Sequence, residues 1–427
     1  MLIRCLIACL SLSLLLGSFP VEAAPGKKRP KPPARKTNTS KKPAPRKADK
    51  VNIGPMVFTF ANGKIKSIQQ LSAQELLKLG YQKFGQKRYK VSTVLYKRLL
   101  KYFPMHKNSY AALYNLALSL EEQKRYAEAI KQYERFISLY KEKKNLILNA
   151  RFRMGSCYGQ LKQWTQAFKV YDKVLQGDIS VSDRYEALAY AGEARYRSGK
   201  PRLAKPLLTL AVRLYDRQPV QKRDVSYAVA MSQYYLARMA DKKFRKQGFH
   251  FPLKRLKEDL ETKARFFLDA QRMYLKAVRL GSIDWSMASL FSIGKMYEQL
   301  YYDMMNAPYP KDLTKEQKAV YTRLLRKRIQ NLLRKAMWLY QHSLNIAKRL
   351  GIKEGVWTAK AEASLKQVFS FYKKTFGKKA SLPGNMPTSR PAPKAAKQAP
   401  AARQKTPSVR TAPSTRPAAP TSRPTAR

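Results

Sequence analysis

A small residue recurs in this chain at Gly80, Ala117, Gly155 and Gly192, at intervals of 37, 38 and 37 residues. Bulky residues follow each one in the same order. In the clearest copy, residues 150–175, Gly155, Tyr158, Trp164, Ala167 and Tyr171 fall at the spacings of two short antiparallel helices. Gly155 on the first helix and Ala167 on the second allow the backbones to approach closely, and Tyr158, Trp164 and Tyr171 fill the space around that contact. One such pair cannot bury its own apolar face, so the pattern requires neighbours of its own kind.

The neighbours are present. Gly80, Tyr89, Ser92, Tyr96 and Pro104 form a first copy, and Ala117, Tyr126, Ala129 and Tyr133 a second. Gly192, Gly199, Ala204, Leu208 and Ala211 form a fourth. Past Arg223 the units enlarge. Residues 227–244, with Ala237 in the small position, read as a first helix, and a second helix from Leu253 carries Ala270, Tyr274 and Ala277; an extra piece of about 21 residues separates them relative to the earlier units. Residues 285–300 supply Gly294 and Tyr297, residues 306–310 break the chain, and Thr314 with Gln317 makes a capping box for a long helix carrying Ala336, Tyr340 and Ala347. That helix is expected to stop at Gly351. A last amphipathic helix over 356–376 offers Trp357, Leu365, Phe369 and Tyr372 to close the stack. Residues 71–376 thus predict about six units, the last two enlarged, plus a closing helix.

The ends have a different character. Residues 1–23 carry one basic residue (Arg4), an uncharged run from Cys5 to Phe19 and a small-residue cleavage site at Val21-Glu22-Ala23, which reads as a secretory signal peptide. No membrane span is expected after its cleavage. Residues 24–50 and 377–427 are Pro-, Ala- and Lys/Arg-rich, with eleven basic residues against one acid in 26–50 and eleven against none in the tail. Such segments bury too little apolar surface to fold and predict disordered basic arms. Between the first arm and the helices, residues 51–70 hold two apolar runs around Asn62-Gly63, a hairpin signal. The hairpin either caps the first helix or offers a strand to a partner.

The formal net charge is +59, and the middle of the chain alone holds 63 basic and 25 acidic residues. An anionic partner or surface is expected, whether acidic protein, lipid headgroup or nucleic acid. Only Cys157 remains after signal cleavage, which excludes an intramolecular disulfide, and its place beside Gly155 predicts a buried structural thiol. His106, His250 and His342 are scattered with no cysteine at ligand spacing, so neither a metal nor a cofactor is expected. There is no Gly-rich phosphate loop, no helical HExxH and no nucleophile motif, and the sequence reads as a non-enzyme.

On these residues the chain resembles a tetratricopeptide-repeat (TPR) protein of bacterial cell-envelope type, over roughly residues 73–350. Residues 285–357 are similar to repeat proteins of envelope and gliding-motility machineries. The resemblance implies an all-α, right-handed solenoid of TPR helical hairpins flanked by the disordered arms, with a concave face of first helices that holds a peptide or protein. On that face it nominates Asn115, Asn149, Arg153, Ser156, Glu193 and Arg197, with Arg153 and Arg197 binding an acidic or carboxylate-bearing segment through paired charge-assisted bonds. The same residues also suit ordinary solvated positions or polar contacts between repeats. The expected function is a secreted scaffold for protein–protein interaction in an envelope assembly, periplasmic or outer-membrane associated. Its arms serve either as linkers or as electrostatic attachments to an anionic envelope surface. The alternative is a nucleic-acid-binding protein that uses the basic body and arms.

Overall fold

Each glycine at the repeat's small position has a large side chain pressed onto it. In a computed structural model describing residues 50–53, 56–61, 64–219, 225–309, 312–352 and 354–377, a methyl group at Gly155 would overlap the ring of Tyr171. Gly80 meets Tyr96, Gly294 meets Tyr340, and Gly192 meets Leu208 in the same way. The side of Gly155 where a Cβ would stand therefore faces the Tyr171 ring, one helical turn beyond Ala167. The close approach accommodates an aromatic side chain between the helices rather than a bare backbone contact. The signal peptide, the turn at Asn62-Gly63, Pro310 and the basic arms, apart from Lys50 and Gly377, lie outside the described residues.

Three short strands precede the helices: β1 (Lys50–Ile53), β2 (Met56–Ala61) and β3 (Lys64–Gln70), antiparallel in the order β1-β2-β3. The sequence predicts only the β2–β3 hairpin. β1 pairs Lys50 with Thr59 and Ile53 with Met56. At four residues, adjoining a Lys/Pro-rich run, it carries too little alternation to be read without its partner strand.

The chain divides into two compact units, one holding the described residues through Met239 and the other those from Ala240. In the first, four helical pairs follow one another: α1 (Ala73–Gly85) with α2 (Tyr89–Tyr102), α3 (Ser109–Glu122) with α4 (Tyr126–Leu139), α5 (Lys144–Gln160) with α6 (Trp164–Leu175), and α7 (Val181–Arg197) with α8 (Pro201–Asp216). Each helix packs on the next in sequence from α1 through α8. Ser72 opens the series with a capping box: its hydroxyl accepts from the Glu75 N–H at 3.3 Å, and Glu75 accepts from the Ser72 N–H at 2.8 Å. Within the pairs, the turn from first to second helix places Lys87, Lys124, Lys162 and Gly199 at φ of 59°, 62°, 58° and 78°. Glycine adopts this left-handed conformation freely, whereas a lysine there costs about 1 kcal/mol.

Helix α9 (Tyr227–Lys246) supplies residues to both units, and α10 (Leu253–Arg279), α11 (Ile283–Met305), α12 (Lys315–Arg349) and α13 (Val356–Phe376) complete the second. The extra residues of the enlarged units lengthen helices rather than inserting a separate piece: α10 has 27 residues and α12 has 35. Thr314 and Gln317 form the capping box of α12, and Gly351 follows its end at φ 67°. On α13, Leu365 and Tyr372 are buried and Trp357 meets Phe291 at 5.7 Å between ring centroids. Phe371 rather than Phe369 reaches the Tyr301 and Tyr302 rings, while Phe369 lies under Lys373.

Candidate functional site

The six residues nominated on the first helices have different fates. Asn115 on α3 turns back on its own helix, its Nδ2 donating to the Ala111 carbonyl at 2.7 Å and to the Tyr81 hydroxyl at 3.5 Å. Asn149 and Ser156 are half-buried on α5. Arg153, on the same helix, is 14% exposed and its Nη1 lies 3.2 Å from Glu121 Oε1. The Tyr133 hydroxyl donates to the other oxygen of Glu121 at 2.8 Å. Burial pushes the Glu121 carboxyl above the ordinary glutamate value, opposed by the Arg153 charge and the Tyr133 hydroxyl. Arg153 therefore ties α5 to α3 and α4, and its positive charge is consumed within the stack.

Arg197 is held differently. Its Nε donates to the Tyr235 hydroxyl at 2.8 Å, and that hydroxyl donates to Glu193 Oε1 at 2.9 Å. Nε also lies 3.4 Å from Glu193, one helical turn back on α7. The guanidinium carbon sits 5.4 Å from the Trp164 ring centroid and 5.7 Å from that of Tyr235, within cation–π range. Burial raises the Tyr235 phenol well above its ordinary value, so it stays a protonated donor, and burial likewise raises Glu193. Every one of these contacts uses Nε or the ring faces. Among the described residues Nη1 and Nη2 of Arg197 have no hydrogen-bond partner, and the side chain is 34% exposed. The result is a guanidinium fixed in orientation at one edge with its outer fork open, the geometry that receives a carboxylate through two parallel N–H···O bonds.

Two other arginines also stand over aromatic rings. Arg195 stacks over the Phe168 ring at 3.5 Å, and Arg238 stands 6.0 Å from the Tyr196 ring. Of the nominated set, the structure brings Glu193 and Arg197 into one cluster and leaves Asn115, Asn149, Arg153 and Ser156 outside it. Sequence reasoning missed Tyr235, Trp164 as a cation platform, and Glu121. Glu121 was findable, because it lies four residues after the small residue Ala117, and the same offset recurs where Tyr340 donates to Glu298 at 2.8 Å after Gly294. It recurs again at Asp241, four after Ala237, which accepts from Tyr274 at 3.4 Å.

Cys157 is buried, and burial pushes its thiol well above the ordinary value, away from nucleophilic use. Among the described residues no group of three or more His, Cys, Asp and Glu side chains is placed to hold a metal ion, and no helix is long and apolar enough to cross a membrane.

Two stretches of the chain, residues 77–142 and 149–176, match tetratricopeptide-repeat family models. A search of curated proteins finds no match. Among solved structures the chain is similar to a tetratricopeptide repeat protein from Parabacteroides merdae, at 14% identity and TM-score 0.36, over 69% of this chain and 98% of that one. It is also similar to the apo form of the quorum sensor NprR from B. thuringiensis, at 16% identity and TM-score 0.37, over 72% and 78%. A Rap protein complexed with Competence and Sporulation Factor matches at 14% identity and TM-score 0.34, over 71% and 76%.

Proposed function

We propose that the tetratricopeptide repeats of this chain serve as a non-catalytic scaffold for protein–protein interaction, and that the first-helix face around Arg197 receives an acidic or carboxylate-bearing segment of the partner. The observation that carries this reading is the open Nη fork of Arg197, oriented by Tyr235 and Glu193 and flanked by Trp164. The signal-peptide pattern at residues 1–23 favours a secreted, periplasmic or outer-membrane-associated setting in an envelope assembly. The basic segments 24–50 and 377–427 supply attachment to an anionic envelope surface in this reading.

The test is a fluorescence-anisotropy screen of acidic peptides, each with a free and an amidated C-terminus, against the full chain. Arg197→Gln is expected to weaken the best binder at least tenfold, because a hydrogen bond to a charged group is worth about 1.5–3 kcal/mol. Arg153→Gln should leave the affinity unchanged and lower stability instead, since it strands Glu121. Unchanged affinity in Arg197→Gln rejects the site. Discrimination between free and amidated peptides tells a terminal carboxylate from an acidic side chain.

A further inference from the structure

Because α1 through α8 alternate in direction, the four turns between first and second helices share one edge of the first unit, and the connections between pairs share the opposite edge. The charge divides unevenly between them. The turns at 86–89, 123–126, 161–164 and 198–201 carry Lys87, Arg88, Lys124, Arg125, Lys162 and Lys200 and no acid. The connections at 103–108, 140–143 and 176–180, with 217–219 after α8, carry Lys107, Lys141, Lys143 and Arg217 against Glu142 and Asp178. All six turn cations are solvent-exposed. Among the described residues only Arg125 of the six is in an ion pair, with Glu128 at 2.6 Å; the other acids bordering these turns are Glu122 and Glu121, the latter paired with Arg153. Three of the lysines stand at the left-handed position that the fourth turn fills with Gly199.

We infer that this row of turns is a docking edge for an anionic lipid surface, a contact made by the folded body in addition to any made by the basic arms. Charge excludes a second copy of the same edge. The turns form a row of exposed cations, one turn to each helical pair. Mobile headgroups can gather beneath each cation of such a row. A nucleic-acid strand instead offers phosphates every 3.4 Å along the duplex axis, a period unrelated to the repeat. The inference deepens the surface-attachment part of the proposed function and is independent of Arg197.

The test uses the full chain carrying Lys87→Gly, Lys124→Gly and Lys162→Gly together. Glycine suits the positive φ at all three positions, so the variant should melt at or above the parent temperature; Lys→Asn at the same positions is the second form. The control removes the same charge from the opposite edge with Lys107→Gln, Lys141→Gln and Arg217→Gln. Binding is measured by co-sedimentation with vesicles of about one-third phosphatidylglycerol in phosphatidylcholine, with phosphatidylcholine vesicles and a DNA duplex as the other arms. At about fivefold per basic residue near such a surface, the edge variant should bind anionic vesicles roughly 100-fold more weakly at low salt, with the control well above it. Equal loss in edge variant and control overturns the docking edge alone. Failure of the parent chain to bind anionic vesicles overturns surface attachment altogether. A loss confined to the DNA arm assigns the edge to nucleic acid and overturns the lipid reading.

Discussion

Lys263→Met should lower the stability of the second unit by about 3 kcal/mol, read as a shift in urea midpoint at unchanged slope. Lys263 is a lysine with 1% of its surface exposed. Its Nζ lies 2.8 Å from Asp303 Oδ2 and donates to the carbonyl of Phe244 at 3.1 Å and to that of Gln247. The Phe244 and Phe249 ring centroids stand 4.7 and 5.4 Å away. These carbonyls are at the end of α9, where the Gln247 N–H reaches that of Phe244 only at 3.3 Å, so one ammonium closes a helix end and neutralises a carboxylate at once. Methionine keeps the apolar stem and removes the charge, which separates electrostatics from packing. Breaking a buried pair from one side costs about 3–5 kcal/mol; the Asp303 side chain is 23% exposed and its Oδ1 keeps the Gln299 donor, but its Oδ2 is buried, so the loss stays within that range at its lower end. Adding Asp303→Asn should restore part of the loss, since Gln299 still donates to residue 303. A Lys263→Met midpoint within experimental error of the parent would show that the ammonium contributes nothing there.

This lysine shows where sequence reading stops. The helical pairs were legible because their determinants are local: a small residue, then aromatics at fixed offsets, repeated until no other fold satisfies them. What a basic side chain does was not legible, because it depends on residues far along the chain. Arg153 and Arg197 look alike in sequence, both basic and both on first helices. One meets Glu121, 32 residues earlier, and is neutralised; the other is gripped at Nε by Tyr235, 38 residues later, and keeps its fork open. Lys263 meets its carboxylate 40 residues on. The strand β1 escaped for a related reason, since a four-residue strand is defined by its partner more than by its own pattern. The lysines at positive φ were hidden because a turn signal is read from glycine, and here only Gly199 provides one.

The small residue of the repeat carries the other large effect: Gly155→Leu should destabilise the first unit by about 3 kcal/mol. The Tyr171 ring that covers Gly155 has nowhere to retreat. It is 4% exposed, stacks on Tyr190 at 5.5 Å and 23° between planes, and has Phe152 at 6.1 Å on another side. A side chain at 155 must therefore separate α5 from α6. Alanine in a helix interior is intrinsically better than glycine by about 1 kcal/mol, which offsets part of the overlap, so Gly155→Ala should cost about 1 kcal/mol net. Gly85 provides the internal standard. It closes α1 with nothing within 4 Å of where a Cβ would stand, so the same change to alanine should stabilise by about 0.5 kcal/mol. Opposite signs for one substitution at two helical glycines, measured as thermal midpoints of the full chain, would tie the repeat's small residue to the aromatic ring above it. A stabilising Gly155→Ala would instead mean that the ring yields, and that helix propensity alone sets the choice at this position.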